Sequence, residues 1–414
     1  MPNVARSEPM PVQPQAVQHD ETDRDQSRKG NGPFRFAGWI MVFFAPLLLL
    51  TGVLEILLWN AGETLPIERV IQAQQSRPGT LFMRGILDQG FYRYKSLQVS
   101  QRKPKILVLG SSRVMEFRSE MFGNRGRDFF NGGGLIQDLS DLKSFVRRIE
   151  TENAPELIIL GLDAWWFNGN KPPLNGLSSG MNRDAALDWQ EHVRAWRRFK
   201  SSKARKVIAA ARRATNENIG IEARSASVGF RLDGSMQYNF APAAASNGWR
   251  FVDRETPPIS ERIRNSTAQF TPCSGASADR LEILAACLDE LARKNVLVAG
   301  FLPPISSEAA GLLERSATQS NLWNEVRARL PKLFRERSLM FGDASLLRDL
   351  GLNDSFMIDG IHAAETFHLH LLESFLADER VAAILPGLSP KIRAALSSPE
   401  ANPWEPDYTP LLSP

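Results

Sequence analysis

Three residues in this chain have the types and spacing for nucleophilic acyl chemistry. Ser112 lies in "ILVLGSSRV", where the apolar run Ile106–Leu109 ends at Gly110. A serine hydroxyl is a weak nucleophile until a base takes its proton. The chain has five histidines, and four have ordinary settings. His19 is in a polar N-terminal tail and His192 in a basic segment, while His368 and His370 sit in an apolar helical run. His362 stands instead in "FMIDGIHAAE", with Asp359 three residues before it across a turn at Gly360. A carboxylate so placed can bond one ring nitrogen, set the tautomer and stabilise the imidazolium. The spacing alone is a weak signal, but its place before the last long helix adds to it.

Acyl transfer also needs donors for a developing oxyanion. The stretch "FFNGGGLI" reads as a glycine loop opening a helix, its three glycines allowing close backbone approach and exposing N–H groups at the helix N-terminus, or simply as a flexible loop. In "GLDAWWF", Asp163 follows an apolar strand and falls on the same edge. Trp165 and Trp166 are expected to line a substrate cleft, where paired tryptophans suit carbohydrate stacking, or else to anchor the segment that follows. Arg113, next to the nucleophile, is a candidate for substrate binding.

The elements that must position these residues alternate. Continuous apolar runs at 105–109, in "PELIILGLD", in "VLVAGFLPP" and in "SLMFGD" read as strands. Between and after them lie helical patterns in "GLIQDLSDLKSFVRRIE", "SADRLEILAACLDELARKN", "LWNEVRARLPKLFRE" (interrupted at Pro331) and "AAETFHLHLLESFLAD". This predicts parallel βαβ units, an α/β three-layer sandwich with a mostly parallel, flavodoxin-like sheet, and a ligand edge at the strand C-terminal ends. From 165 to 272 the pattern fails, which predicts an insertion, a cap over the site. That insertion holds nine Lys or Arg between Arg194 and Arg213, a solvated face or a surface for membrane phosphates or an acidic polymer. Residues 389–414, rich in proline, read as an extended, poorly packed tail.

The first 35 residues are too polar to bury a core and read as disordered. Residues 36–59 are apolar apart from Glu55 and, as a helix, span about 36 Å, enough to cross a bilayer. A cleaved signal peptide is the competing reading, but the apolar stretch is long and no small-x-small site follows it. Arg24, Arg28, Lys29 and Arg35 precede it closely, against Arg69 after it, so the positive-inside rule puts the N-terminus in the cytoplasm. Residues 60–103 then form a helical stalk, and the domain at 104–388 lies outside, in the periplasm if the cell is Gram-negative. Cys273 and Cys287 are a bridge or two thiols with equal weight. The net charge of +4 over 414 residues gives no argument for nucleic acid. No Walker lysine, dinucleotide glycine pattern or metal-ligand spacing stands out, so no cofactor is expected.

Taken in order, Gly110-Ser111-Ser112, the Gly132–Gly134 run, Gly161-Leu162-Asp163 and Asp359-Gly360-Ile361-His362 resemble the four blocks of the SGNH (GDSL-type) hydrolase superfamily. The resemblance covers about 104–378 without the insertion. It implies Ser112 as nucleophile, His362 as base, Asp359 as its partner, and an oxyanion faced by the N–H of Ser112 and of Gly132 or Gly133. Ser111 replaces the family aspartate, and Asp163 stands where the family has an asparagine donor. An ionised carboxylate there cannot donate and would repel an oxyanion. With the apolar anchor, the layout is similar to that of anchored SGNH-like proteins of bacterial polysaccharide O-acetylation. This implies a serine O-acyltransferase or esterase on a cell-surface glycan, with a membrane partner delivering the acyl group. The alternative is a non-catalytic module of the same fold that binds polysaccharide or scaffolds an export complex.

Overall fold

A computed structural model describes residues 32–87, 90–171, 185–198, 201–213, 217–239, 245–250 and 257–413. The N-terminal tail read as disordered falls, up to residue 31, outside the described residues. The chain divides into two units, Met1–Ile56 and Leu57–Pro414. The helix Gly32–Asn60 begins in the first and ends in the second, and its part in the first exposes apolar side chains, Trp39, Phe43 and Leu50 among them. It is long and apolar enough to cross a membrane.

The second unit is built on five parallel strands: β1 (Ile106–Gly110), β2 (Phe129–Gly133), β3 (Leu157–Gly161), β6 (Leu297–Leu302) and β7 (Met340–Asp343). Their order across the sheet is β2-β1-β3-β6-β7. β1, β2 and β3 are buried throughout and β6 nearly so, because both faces of the sheet are covered, whereas β7 at the edge is half-buried. Alternate side chains go to two separate cores. Leu107, Leu109, Ile158, Leu160 and Val298 meet the helices Leu139–Arg148, Ala278–Arg293 and Ser320–Arg335. Ile106, Val108, Ile159, Ala299 and Phe301 meet Glu365–Phe375 and Leu388–Leu396. A mixed α/β fold on a parallel sheet was expected, and it is present. The Ser320–Arg335 helix runs through Pro331 rather than stopping there.

Three expectations change. Phe129–Gly133 is a strand, not a loop opening a helix: β2 pairs with β1 in register Leu109↔Gly132, and the helix starts only after Asp138. The chain leaves β2 through Gly134, whose φ of 89° admits little but glycine. The 60–103 segment is no free stalk, since Ile67, Val70, Phe82 and Tyr94 form a core with Met115, Phe230 and Met236. Nor is the C-terminal region extended and poorly packed. Ile392 and Leu411 are fully buried, and Trp404 donates its indole N–H to the Ser355 carbonyl at 3.0 Å.

Within the insertion, "GFRLDGSMQYN" is the hairpin β4 (Gly229–Phe230) and β5 (Met236–Gln237). It docks where the chemistry was expected. Asn131 N–H donates to Asp233 O at 2.8 Å and Met236 N–H to Met115 O at 2.9 Å. Cys273 and Cys287 are both free thiols.

If the C-terminal helix is part of the core, truncating Ile392 to Ala will cost about 3 kcal/mol. Urea unfolding of the full chain in detergent measures this; an unchanged midpoint would show that the helix is dispensable.

Candidate active site

Ser112 opens a short 3-10 turn, Ser112–Val114, directly after β1. Asn131 of β2 clamps the far side of that turn, its amide donating to Val114 O at 2.8 Å and to Phe117 O at 2.9 Å. His362 comes from the loop before Glu365–Phe375, closed by a bridge between Met357 and Ala363. Although 250 positions apart in sequence, Ser112 Oγ and His362 Nε2 stand 2.8 Å from each other. His362 Nδ1 lies 2.7 Å from Asp359 Oδ2. An ionised carboxylate only accepts, so Nδ1 carries the hydrogen and Nε2 presents a lone pair to the serine hydroxyl. The other oxygen, Asp359 Oδ1, accepts the backbone N–H of Ile361 at 2.9 Å and of His362 at 2.8 Å. Burial alone would raise the Asp359 pKa, but the His362 ring and these two amides outweigh it and hold the carboxyl below its usual range. All three triad side chains are half-buried.

Asp163 stands two residues after β3. It is buried and pairs with Arg113, Nη1 to Oδ1, at 2.9 Å. Arg113 also donates Nε to Ile361 O at 2.9 Å and Nη2 to Pro304 O at 2.5 Å. Its guanidinium stands 5.1 Å from the centre of the Trp165 ring. Burial pulls its pKa down against the opposing pull of Asp163. Arg113 was expected to bind substrate; with each of its three guanidinium nitrogens bonded inside the protein, it is a strut instead. Trp166 was expected in the cleft, yet it is buried in the core beside Phe167. Trp165 keeps a half-buried position against the edge of Phe270.

The backbone donors also differ from expectation. Gly133 N–H is taken by Asn131 Oδ1 at 2.8 Å, and Gly132 lies within the β2 ladder. Gly134 N–H bonds Gly110 O at 2.7 Å. Among the described residues no hydrogen bond is formed by Ser112 N–H, in contrast to those of Gly133 and Gly134.

His368 was read as an ordinary packed residue, and it supports the nucleophile turn from beneath. It is fully buried, Nδ1 lying 3.0 Å from Ala364 O and Nε2 3.3 Å from Arg113 O. Lys95, also fully buried, donates to Gly133 O at 2.6 Å. Neither role had a signal in the sequence, because each depends on a backbone carbonyl brought in by the fold. Comparison with family models and with curated proteins finds no match for the chain.

Arg113→Met will cost about 3–5 kcal/mol by leaving the Asp163 carboxylate buried without its cation. Adding Asp163→Leu to that variant will recover part of the loss; equal and additive costs in urea unfolding would mean that the pair does not couple. Burial pulls the His368 pKa down from 6.5 to about 4. Between those values the unfolded chain binds the proton and the folded one does not. This contribution is therefore full above pH 6.5 and fades as pH falls toward 4, by up to about 3 kcal/mol. Unfolding midpoints of the wild type will drop more steeply from pH 7 to 4.5 than those of His368→Gln.

Proposed function

We propose that the chain is a membrane-anchored, extracytoplasmic serine O-acyltransferase or esterase with an SGNH-type, three-layer, flavodoxin-like domain. Its substrate is an acyl, most simply acetyl, group on a cell-surface glycan. The observation that carries the reading is the unbroken chain of hydrogen bonds from Ser112 Oγ through His362 to Asp359.

His362 Nε2 takes the serine proton as Oγ attacks the acyl carbonyl carbon. The carbonyl oxygen becomes an oxyanion facing Ser112 N–H. Collapse breaks the bond to the leaving oxygen, which takes the proton from His362, and the acyl group remains as a serine ester. A sugar hydroxyl or water then gives its proton to His362 and attacks that ester, and Ser112 Oγ leaves the acyl carbon, taking the proton back from His362. Transfer and hydrolysis differ only in this acceptor. The Arg113–Asp163 pair supports the reading, because a carboxylate already neutralised by a guanidinium does not repel the oxyanion as a bare one would. Trp165, half-buried beside the turn, is the aromatic face left for a sugar ring. The anchor is the 36–59 segment, with the N-terminus in the cytoplasm and the domain in the periplasm or outside. The acyl group would come from a membrane partner.

The full chain, incubated with p-nitrophenyl acetate and quenched early, will carry an acetyl group on the peptide containing Ser112. Ser112→Ala and His362→Ala will abolish the adduct, and Asp359→Asn will slow its formation by about 10²–10⁴. A folded wild type that neither forms the adduct nor releases nitrophenol above background would sink the enzyme reading in favour of a binding module.

A further inference from the structure

The basic insertion sits beside the end of the apolar helix. Its helix Ser201–Arg212 buries Val207 and Ala210 and packs on the short helix Ile221–Ala226. Arg224 of that short helix donates to Asn60 O at 2.6 Å and to Ala210 O at 3.3 Å. Gly220 N–H donates to Ala61 O at 2.9 Å. Asn60 is the last residue of the apolar helix. If that helix spans a bilayer, whatever touches Asn60 lies at the interface.

The opposite face of Ser201–Arg212 has the composition for that place. Arg205, Ile208, Ala209 and Arg212 are exposed and share one face by their three- and four-residue spacing. Lys206 and Arg213 are exposed beside them, although Lys206 also stands 3.6 Å from Glu222. Two arginines flanking a small apolar patch suit an interfacial helix whose cations meet phosphates while the patch rests on the acyl boundary. Just upstream, Leu187 and Trp189 are exposed as well, and tryptophan favours the same level.

We infer that the Arg205–Arg213 face is a second membrane contact, which binds anionic phospholipid headgroups of the leaflet into which the apolar helix emerges. This rests on the reading of 36–59 as a span. Each arginine near an anionic surface strengthens binding about five-fold. The contact would hold the domain down on the membrane.

The test uses the full chain with Ile208→Cys carrying an environment-sensitive dye, in a Cys273→Ser, Cys287→Ala background that matches the thermal unfolding of the wild type. It is reconstituted in nanodiscs of phosphatidylcholine alone or with one-third phosphatidylglycerol, each with a quencher spin-labelled near the headgroup. The expected result is quenching in the anionic discs only, reversed by high salt. Arg205→Gln and Arg212→Gln will each lower the docked-to-free ratio about five-fold. No quenching in either disc, or equal quenching in both, would overturn the inference. So would protection of the dye by a soluble polyuronate with none by lipid. Alkaline carbonate washing of membranes separates the two readings. A chain that washes off defeats the span and this contact together. One that stays but is not quenched defeats this contact alone.

Discussion

One guanidinium holds the candidate site in place. Arg113 reaches the Asp163 carboxylate, Pro304 O and Ile361 O, which belong to the loops after β3, after β6 and before the last long helix. Its own backbone carries Ser112 on one side, and Ile361 carries His362. The flat, always-charged fork suits three acceptors in fixed directions, which a lysine's point charge cannot match. Serine and histidine are thus brought to hydrogen-bond distance through a neighbour of each, while Asp359 fixes the imidazole itself. Burying such a charge costs several kcal/mol unless it is fully paired, and that cost ties the loops to one arrangement.

Support for the nucleophile turn comes from three further directions. Asn131 bonds the carbonyls of Val114 and Phe117, His368 stands under Arg113 O, and the β4–β5 hairpin takes Met115 O. The turn is held by its backbone, leaving the Ser112 hydroxyl free to turn to its base. The glycine run contributes by letting β2 pass close to this turn. A methyl on Gly133 would lie 2.9 Å from Val114 Cγ2, and one on Gly134 would lie 2.6 Å from Met115 Cε.

Much of this was legible in the sequence. β1, β3, β6 and β7 are short apolar runs, and buried parallel strands have that composition. The Asp359–His362 turn follows from local spacing, so both residues could be named together. What could not be read depended on distant partners. β2 carries Asn131 and a glycine run that signal a loop, and pairing with β1 overrides that local preference. Arg113 was placed at the site by its position beside Ser112, Asp163 by its position after a strand, and Trp166 by residue type. Their burial follows from an ion pair and a core that join segments far apart in the chain. The proline-rich C-terminal region was misread in the same way, since its proline content hid the spacing of Ile392, Ala395 and Leu411 against the sheet.

β3 and β6 are neighbours in the sheet, yet the whole insertion lies between them in the chain. Closing so long a loop is slow, because its entropy is lost before the pairing rewards it. The Ser112 turn stands early in the chain, and His362 cannot join it until that loop has closed and the last long helix has been made. An incomplete chain of this protein, still emerging from a ribosome or a translocon, therefore holds a serine without a base. The Ser112–His362 pair is therefore among the last contacts of the fold to form, and whatever depends on it waits until folding is nearly finished.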